Sequence, residues 1–222
     1  MKVNLISYSQ LPPGEPSDIP EDDLLQIVAY CARVSNPSNQ NNEATAEKLV
    51  NYLVKHQHWS PLEMVSVCME VETTRDIARQ FLRHRSFSFQ EFSQRYADPT
   101  QDLAFETREC RLQDEKNRQN SVEVEDEELA REWDRHQRRV LHWSKEVYAW
   151  AIKNGIAKEQ ARAVLPEGLT MSRMYVNGTL RSWIHYCQLR MDNGTQKEHI
   201  EIAKACAEVI LKIFPTTQLT TQ

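Results

Sequence analysis

From Leu129 to Lys153 the chain has the length and the Trp, Leu and Val spacing of one long helix, and Asn154-Gly155 closes it with a good C-terminal stop. An element of that size commits the chain to a helix-dominated fold, and 222 residues suffice for one domain, 1–222, with a substantial core. The first nine residues have strand composition, and the Pro/Gly/Asp-rich stretch Gln10 to Asp23 reads as a loop into a helix over Asp23 to Val34. Ser35 to Asn42 is a polar break, after which Leu49, Leu53 and Val54 lie at helical spacing in a second helix ending near His56. The β-branched segment Met64 to Val71 favours a strand. Thr73 or Thr74 caps the next helix, with Asp76 in its first turn, and the stripe Ile77 and Phe81 carries that helix to about Arg85.

Residues 106–128 are strongly polar, include the run EVEDEE, and read as a solvated surface excursion with at most short strands. A short helix through Arg162 stops before Pro166, and Leu169 to Val176 reads as extended. Leu180 to Met191 is helical, and Lys197 to Phe214 forms a final amphipathic helix before a Thr/Gln tail. The sum is an α+β fold: a single helix-rich domain with a small mixed or antiparallel sheet.

A formal net charge of −5 disfavours a general nucleic-acid binder, which normally needs a net basic surface to displace counterions. Any anion has to be met locally. The N-terminal MKVNLISYSQLPPGEP lacks a long apolar run, and nowhere do about eighteen apolar residues follow one another, so a cytoplasmic protein with no membrane partner is expected. The cysteines Cys31, Cys68, Cys110, Cys187 and Cys206 are odd in number and contain no CxxC pair. They signal neither a disulfide framework nor a metal site and read mostly as buried small apolar residues.

The chemistry concentrates between Thr73 and Tyr96. Arg75, Arg79 and Arg83 on a shared helix would stack like charges at intervals of four, a destabilisation of a few tenths of a kcal/mol per pair unless something neutralises them. Such a stripe calls for an anion, and arginine forks suit phosphate and other paired oxygen acceptors better than lysine does. Between Phe87, Phe89, Phe92 and Tyr96 stand Ser88, Gln90, Glu91, Ser93 and Arg95, so polar groups alternating with aromatics describe a binding wall. Arg79 and His84 also form an R-x4-H pattern of the kind found in small all-helical HEPN-type ribonucleases.

Arg83-His84-Arg85, seven residues and then Ser93 resembles the RHRx7S signature of the flavin-dependent thymidylate synthases, with that family's Glu and Arg positions matched at Glu91 and Arg95. Further matches follow in order: ARVS (Ala32 to Ser35), HQHWSPLE (His56 to Glu63), ARAVLP (Ala161 to Pro166) and the run from Arg181 to Arg190. The resemblance implies the thymidylate-synthase-complementing fold and a cytoplasmic homotetramer with its sites at subunit junctions. It implies methylation of dUMP with NADPH as reductant, 5,10-methylenetetrahydrofolate as carbon donor and FAD as cofactor. By the same resemblance Ser35, His58, Ser60, Arg83, His84, Arg85, Glu91, Arg181 and His185 would hold FAD. Gln80, Glu91, Ser93, Arg95, Arg162 and Arg190 would hold dUMP, with Arg190 the first choice for catalysis.

No cysteine follows a proline, which disfavours the cysteine-nucleophile route, and Ser93 reads as a nucleotide-binding hydroxyl because no third group orients His84 as its base. With five glycines and no GxGxxG, side chains must hold the flavin pyrophosphate. One position departs from the family: where an asparagine commonly precedes Arg181 by two residues, this chain has Thr179, with Asn177 two residues earlier. Either Thr179 substitutes with its hydroxyl or a local shift brings in Asn177.

Overall fold

The computed structural model describes residues 1–11, 24–215 and 219; the expected loop up to Asp23 and the Thr/Gln tail lie largely outside these residues. The chain opens with β1 (Lys2–Tyr8), α1 (Leu24–Ala32) and α2 (Ala46–Lys55), followed by β2 (Ser66–Thr74), α3 (Arg75–Phe81), β3 (Phe87–Glu91) and the single turn α4 (Pro99–Asp102). A small hairpin of β4 (Arg111–Gln113) and β5 (Ser121–Glu123) leads into the long α5 (Glu127–Lys153). The order then runs α6 (Lys158–Ala161), β6 (Met171–Thr179), α7 (Leu180–Arg190) and α8 (Lys197–Ile213).

Four strands form an antiparallel sheet in the order β1-β2-β6-β3. This sheet excludes the all-helical ribonuclease reading. On β2, Val67, Met69, Val71 and Thr73 are buried while the residues between them are only partly covered; on β6, Met174, Val176 and Gly178 repeat the pattern. That period of two leaves one face for the core and one open. Helices α7 and α8 cover the buried face, with Trp183, Tyr186, Ile184 and Phe81 fully enclosed, and the Trp183 indole N–H donates to the Val67 carbonyl at 2.9 Å. A second small cluster, Tyr148, Ala151, Ala161 and Leu165, seats the C-terminal half of α5.

Two expectations need correction. Helix α3 ends at Phe81, not Arg85, because the chain must turn so that Phe87 pairs with Gly178 on β6. The Phe87 ring lies where a side chain on residue 178 would stand, so glycine is required there. The expected binding wall begins as strand β3, whose alternation of Phe87 and Phe89 with Ser88 and Gln90 is the period of an edge strand. Thr74 does occupy the cap position of α3, but its hydroxyl donates to Asp76 instead of accepting a backbone N–H. Asp126 caps α5 as an acceptor from Glu128 and Leu129, and Gly155 follows at φ 77, the left-handed conformation that stops a helix.

Candidate active site

The family-matched residues fall into three groups within the chain. The first gathers around the start of α7. Arg181 there forms an ion pair with Glu63, while His185 meets Trp59 edge to face with ring centroids 4.3 Å apart. His58 and Ser60 flank Trp59 and are exposed. The ring of His58 lies 5.9 Å from that of Tyr52, and Tyr52 in turn lines an open cavity of about 520 Å³ together with Ser35, Arg33 and Lys48. His185 titrates below the usual histidine range because of partial burial and the charge of Arg181. The Arg181 Nε–H is buried and has no hydrogen-bond partner among the described residues.

The second group stands at the other end of α7. The turn after α3 presents Arg83 and Arg85 to solvent, and neither guanidinium pairs with any described residue. Between them His84 turns inward, where its Nε2 accepts the Nε–H of Arg190 at 2.9 Å. Burial, then the charges of Arg190 and Arg83, lower the His84 pKa to about 4. The imidazole is therefore neutral near pH 7 and carries its one proton on Nδ1. The terminal nitrogens of Arg190 make no hydrogen bond among the described residues. Gln80, one turn before His84, bonds to Gln196 at 2.9 Å and to the buried His199 at 3.2 Å.

The third group lies at the far end of β3. Glu91 accepts from Ser172 at 2.8 Å and pairs with Arg75 at 3.5 Å; Arg95 pairs with Glu159 at 3.2 Å; and the Ser93 hydroxyl accepts the backbone N–H of Arg95 at 3.4 Å. Arg162 sits in the turn following α6, beside Glu159 in the chain, with its side chain unpaired among the described residues. The expected three-arginine stripe does not form, because Arg83 lies beyond the helix and Glu167 neutralises Arg75 and Arg79, at 3.3 and 2.9 Å. The anion which that stripe called for is thus partly the chain's own.

Thr179 spends its hydroxyl as the cap of α7, accepting from the Ser182 N–H at 3.3 Å, while Asn177 stays exposed on the open face of the sheet, paired through its backbone with Ser88 and Cys68. Of the cysteines, Cys187 and Cys206 are buried and the other three partly so; burial raises the pKa of Cys31, Cys68, Cys187 and Cys206, which keeps them as thiols. Among the described residues no cluster of three His, Cys, Asp or Glu side chains is placed to hold a metal ion, and no helix is long and apolar enough to cross a membrane.

Reading the sequence alone missed Glu63, Glu167, Tyr186, Gln196, Glu198 and His199. A signal existed for His199, which precedes the buried Ile202 and Cys206 by three and seven residues and so lies on the apolar stripe of α8. Glu63 closes the HQHWSPLE segment but gave no local sign of its partner.

The fold and site define a helix-backed antiparallel-sheet protein in which arginines and histidines from separate segments are presented at the two ends of one helix and one strand. The profile of the family described as thymidylate synthase complementing protein matches residues 20–216. A probable flavin-dependent thymidylate synthase of Paramecium bursaria Chlorella virus 1 is 48% identical over 191 residues, 86% of this chain and 87% of that one. The flavin-dependent thymidylate synthase of Synechocystis sp. is 48% identical over 190 residues, 86% of each. The crystal structure of a UMP/dUMP methylase, PolB, from Streptomyces cacaoi bound with 5-Br dUMP superposes with a TM-score of 0.75 at 25% identity, covering 98% of this chain and 92% of that one. The chain belongs to the thymidylate synthase complementing protein family.

Proposed function

We propose that this protein methylates dUMP to dTMP, taking the carbon from 5,10-methylenetetrahydrofolate and reducing equivalents from NADPH by way of FAD, without a cysteine nucleophile. The observation that carries the reading is the Arg190–His84 pair. A neutral imidazole holds one edge of the guanidinium and leaves its terminal N–H groups for a uracil carbonyl. A guanidinium so fixed stabilises negative charge developing on the pyrimidine without giving up its own proton. His84, engaged by Arg190 and weakly basic, is unsuited to deprotonate Ser93, which supports binding over nucleophilic attack for that hydroxyl.

FAD supplies the redox chemistry when bound. The residues present fit it: Arg181 offers a buried unpartnered N–H, and Arg83, Arg85, His58, Ser60, His185 and Ser35 add cationic and hydrogen-bonding groups suited to a pyrophosphate-bearing cofactor. Gln80, Glu91, Ser93, Arg95 and Arg162 are assigned to dUMP.

The reading includes a cytoplasmic homotetramer whose subunits complete one another's sites. Two features support self-association. The three groups stand apart within one chain, Arg181 and Arg190 being roughly 13 Å apart along α7. On α5, the exposed Leu129, Trp133, Val140, Trp143, Val147 and Trp150 recur at the spacing of a helix-packing seam, with Trp143 and Trp150 more than 60% exposed. The deciding experiment is release of tritium from carbon 5 of labelled dUMP in the presence of NADPH and methylenetetrahydrofolate. Protein carrying a full complement of flavin that releases none would overturn the proposed activity.

A further inference from the structure

Under Gln80 runs a chain of hydrogen bonds whose direction is set by a single charge. Glu198 is almost wholly enclosed; burial pushes its pKa up, but hydrogen bonds from Arg111, its own backbone N–H and Gln196, with the charge of Arg108, outweigh that and keep it ionised. A carboxylate only accepts, so the Gln196 amide that faces it at 2.9 Å must present Nε2. The Gln196 oxygen then faces Gln80, which must present its own Nε2, at 2.9 Å, and turn its oxygen toward His199. The neutral His199 imidazole meets that oxygen with Nδ1–H at 3.2 Å, and its Nε2 accepts the Tyr186 hydroxyl at 3.1 Å. Two amide flips and one tautomer, each ambiguous alone, are thereby reduced to one arrangement.

We infer that Glu198 is a positioning residue which, acting through Gln196 and braced at the far end by His199 and Tyr186, fixes the Gln80 amide so that it offers the substrate nucleotide an N–H donor and not a carbonyl. The inference rests on the reading of Gln80 as a dUMP contact. One N–H of Gln80 is used by Gln196; the other suits an acceptor oxygen, of which a uridine nucleotide has several and which a donor group in the same place could not replace.

The test has two arms. Nitrogen-15 spectra of the intact protein labelled at histidine should show His199 as the Nδ1–H tautomer near neutral pH; the Nε2–H tautomer would overturn the inference with no variant made. In steady-state kinetics, Gln80→Ala, Glu198→Gln and His199→Gln should each raise KM for dUMP about tenfold with a much smaller change in kcat, the size expected for one misplaced hydrogen bond. His199→Asn, whose amide N–H replaces Nδ1–H, should recover most of that loss. If Gln80→Ala raises KM while Glu198→Gln and His199→Gln do not, the inference fails and the assignment of Gln80 stands. An unchanged KM in Gln80→Ala removes that assignment and the inference with it.

Discussion

The two ends of α7 carry similar groups in opposite surroundings. At its first turn, Arg181 and Glu63 pair with about two-fifths of each side chain exposed, and His185 faces water. At its last turn Arg190 touches His84 while the adjoining Tyr186 and His199 are sealed in the core. Water screens the first pair, which therefore contributes little to stability and can exchange partners readily. The enclosed Tyr186 and His199 have no such freedom, since their polar groups must be satisfied within the protein before a ligand arrives, which leaves the terminal N–H groups of Arg190 open. One end is thus suited to capturing a charged cofactor and the other to holding a preset geometry at the reacting ring.

The contrast predicts its largest effect at Arg190. Arg190→Ala should lower kcat by about a hundred- to a thousandfold, the usual consequence of losing a preorganised group that meets developing charge, while the visible absorbance of flavin per protomer stays near that of the parent protein. Near-parental turnover would remove Arg190 from the mechanism. Loss of flavin along with turnover would mean that the two ends do not divide their labour.

Acid should expose the same division next. In the unfolded chain His84 and His199 take up protons from about pH 6.5 downward, whereas in the fold they stay neutral to about 4 and about 3. The unfolded state then binds more protons, so stability is fully present above pH 6.5 and falls as pH drops toward those values. Urea midpoints should hold level from pH 8 to about 7 and decline from about 6.5 to 5, and His199→Asn should flatten the decline. His185, lowered in the same direction but at the exposed end, should contribute less. Midpoints independent of pH over that range would mean that the buried end is open to water.

The third effect is smaller and lies in the turn after α3, beside the last turn of α7. Arg83 is exposed and unpaired among the described residues, so Arg83→Ala should leave stability within about 0.5 kcal/mol of the parent and lower the flavin-to-protein ratio of the purified enzyme. A melting temperature that falls with full flavin retention would recast Arg83 as structural.

How much of this was legible in the sequence followed from range. Helix α5 could be read because its spacing and its Gly155 stop are local, although its acidic first residues Glu127 and Glu128 were read with the polar stretch before it. The end of α3 could not, since the turn after Phe81 exists to bring Phe87 onto Gly178, far away in the chain. Family-matched residues such as His84 and Arg190 were found singly, but their pairing spans more than a hundred positions. Glu167 was invisible as the partner of Arg75 and Arg79 for the same reason. His199 was hidden differently: on an amphipathic helix a buried histidine has the same period as a leucine, and only its neighbours Gln80 and Tyr186 give it a role.

The smallest effect tests the exposed end directly. Glu63 competes with any phosphate for Arg181, and it does so from the surface, where an ion pair is worth about 0–1 kcal/mol. Glu63→Gln should therefore leave the urea midpoint almost unmoved, while the freed guanidinium binds added FAD a few-fold more tightly at low salt. Because the competition is electrostatic, that gain should shrink as ionic strength shortens the screening length to below about 10 Å. Weaker FAD binding in Glu63→Gln would mean that the carboxylate holds Arg181 in its binding posture instead of competing for it. The first turn of α7 would then be preset in the same way as the last.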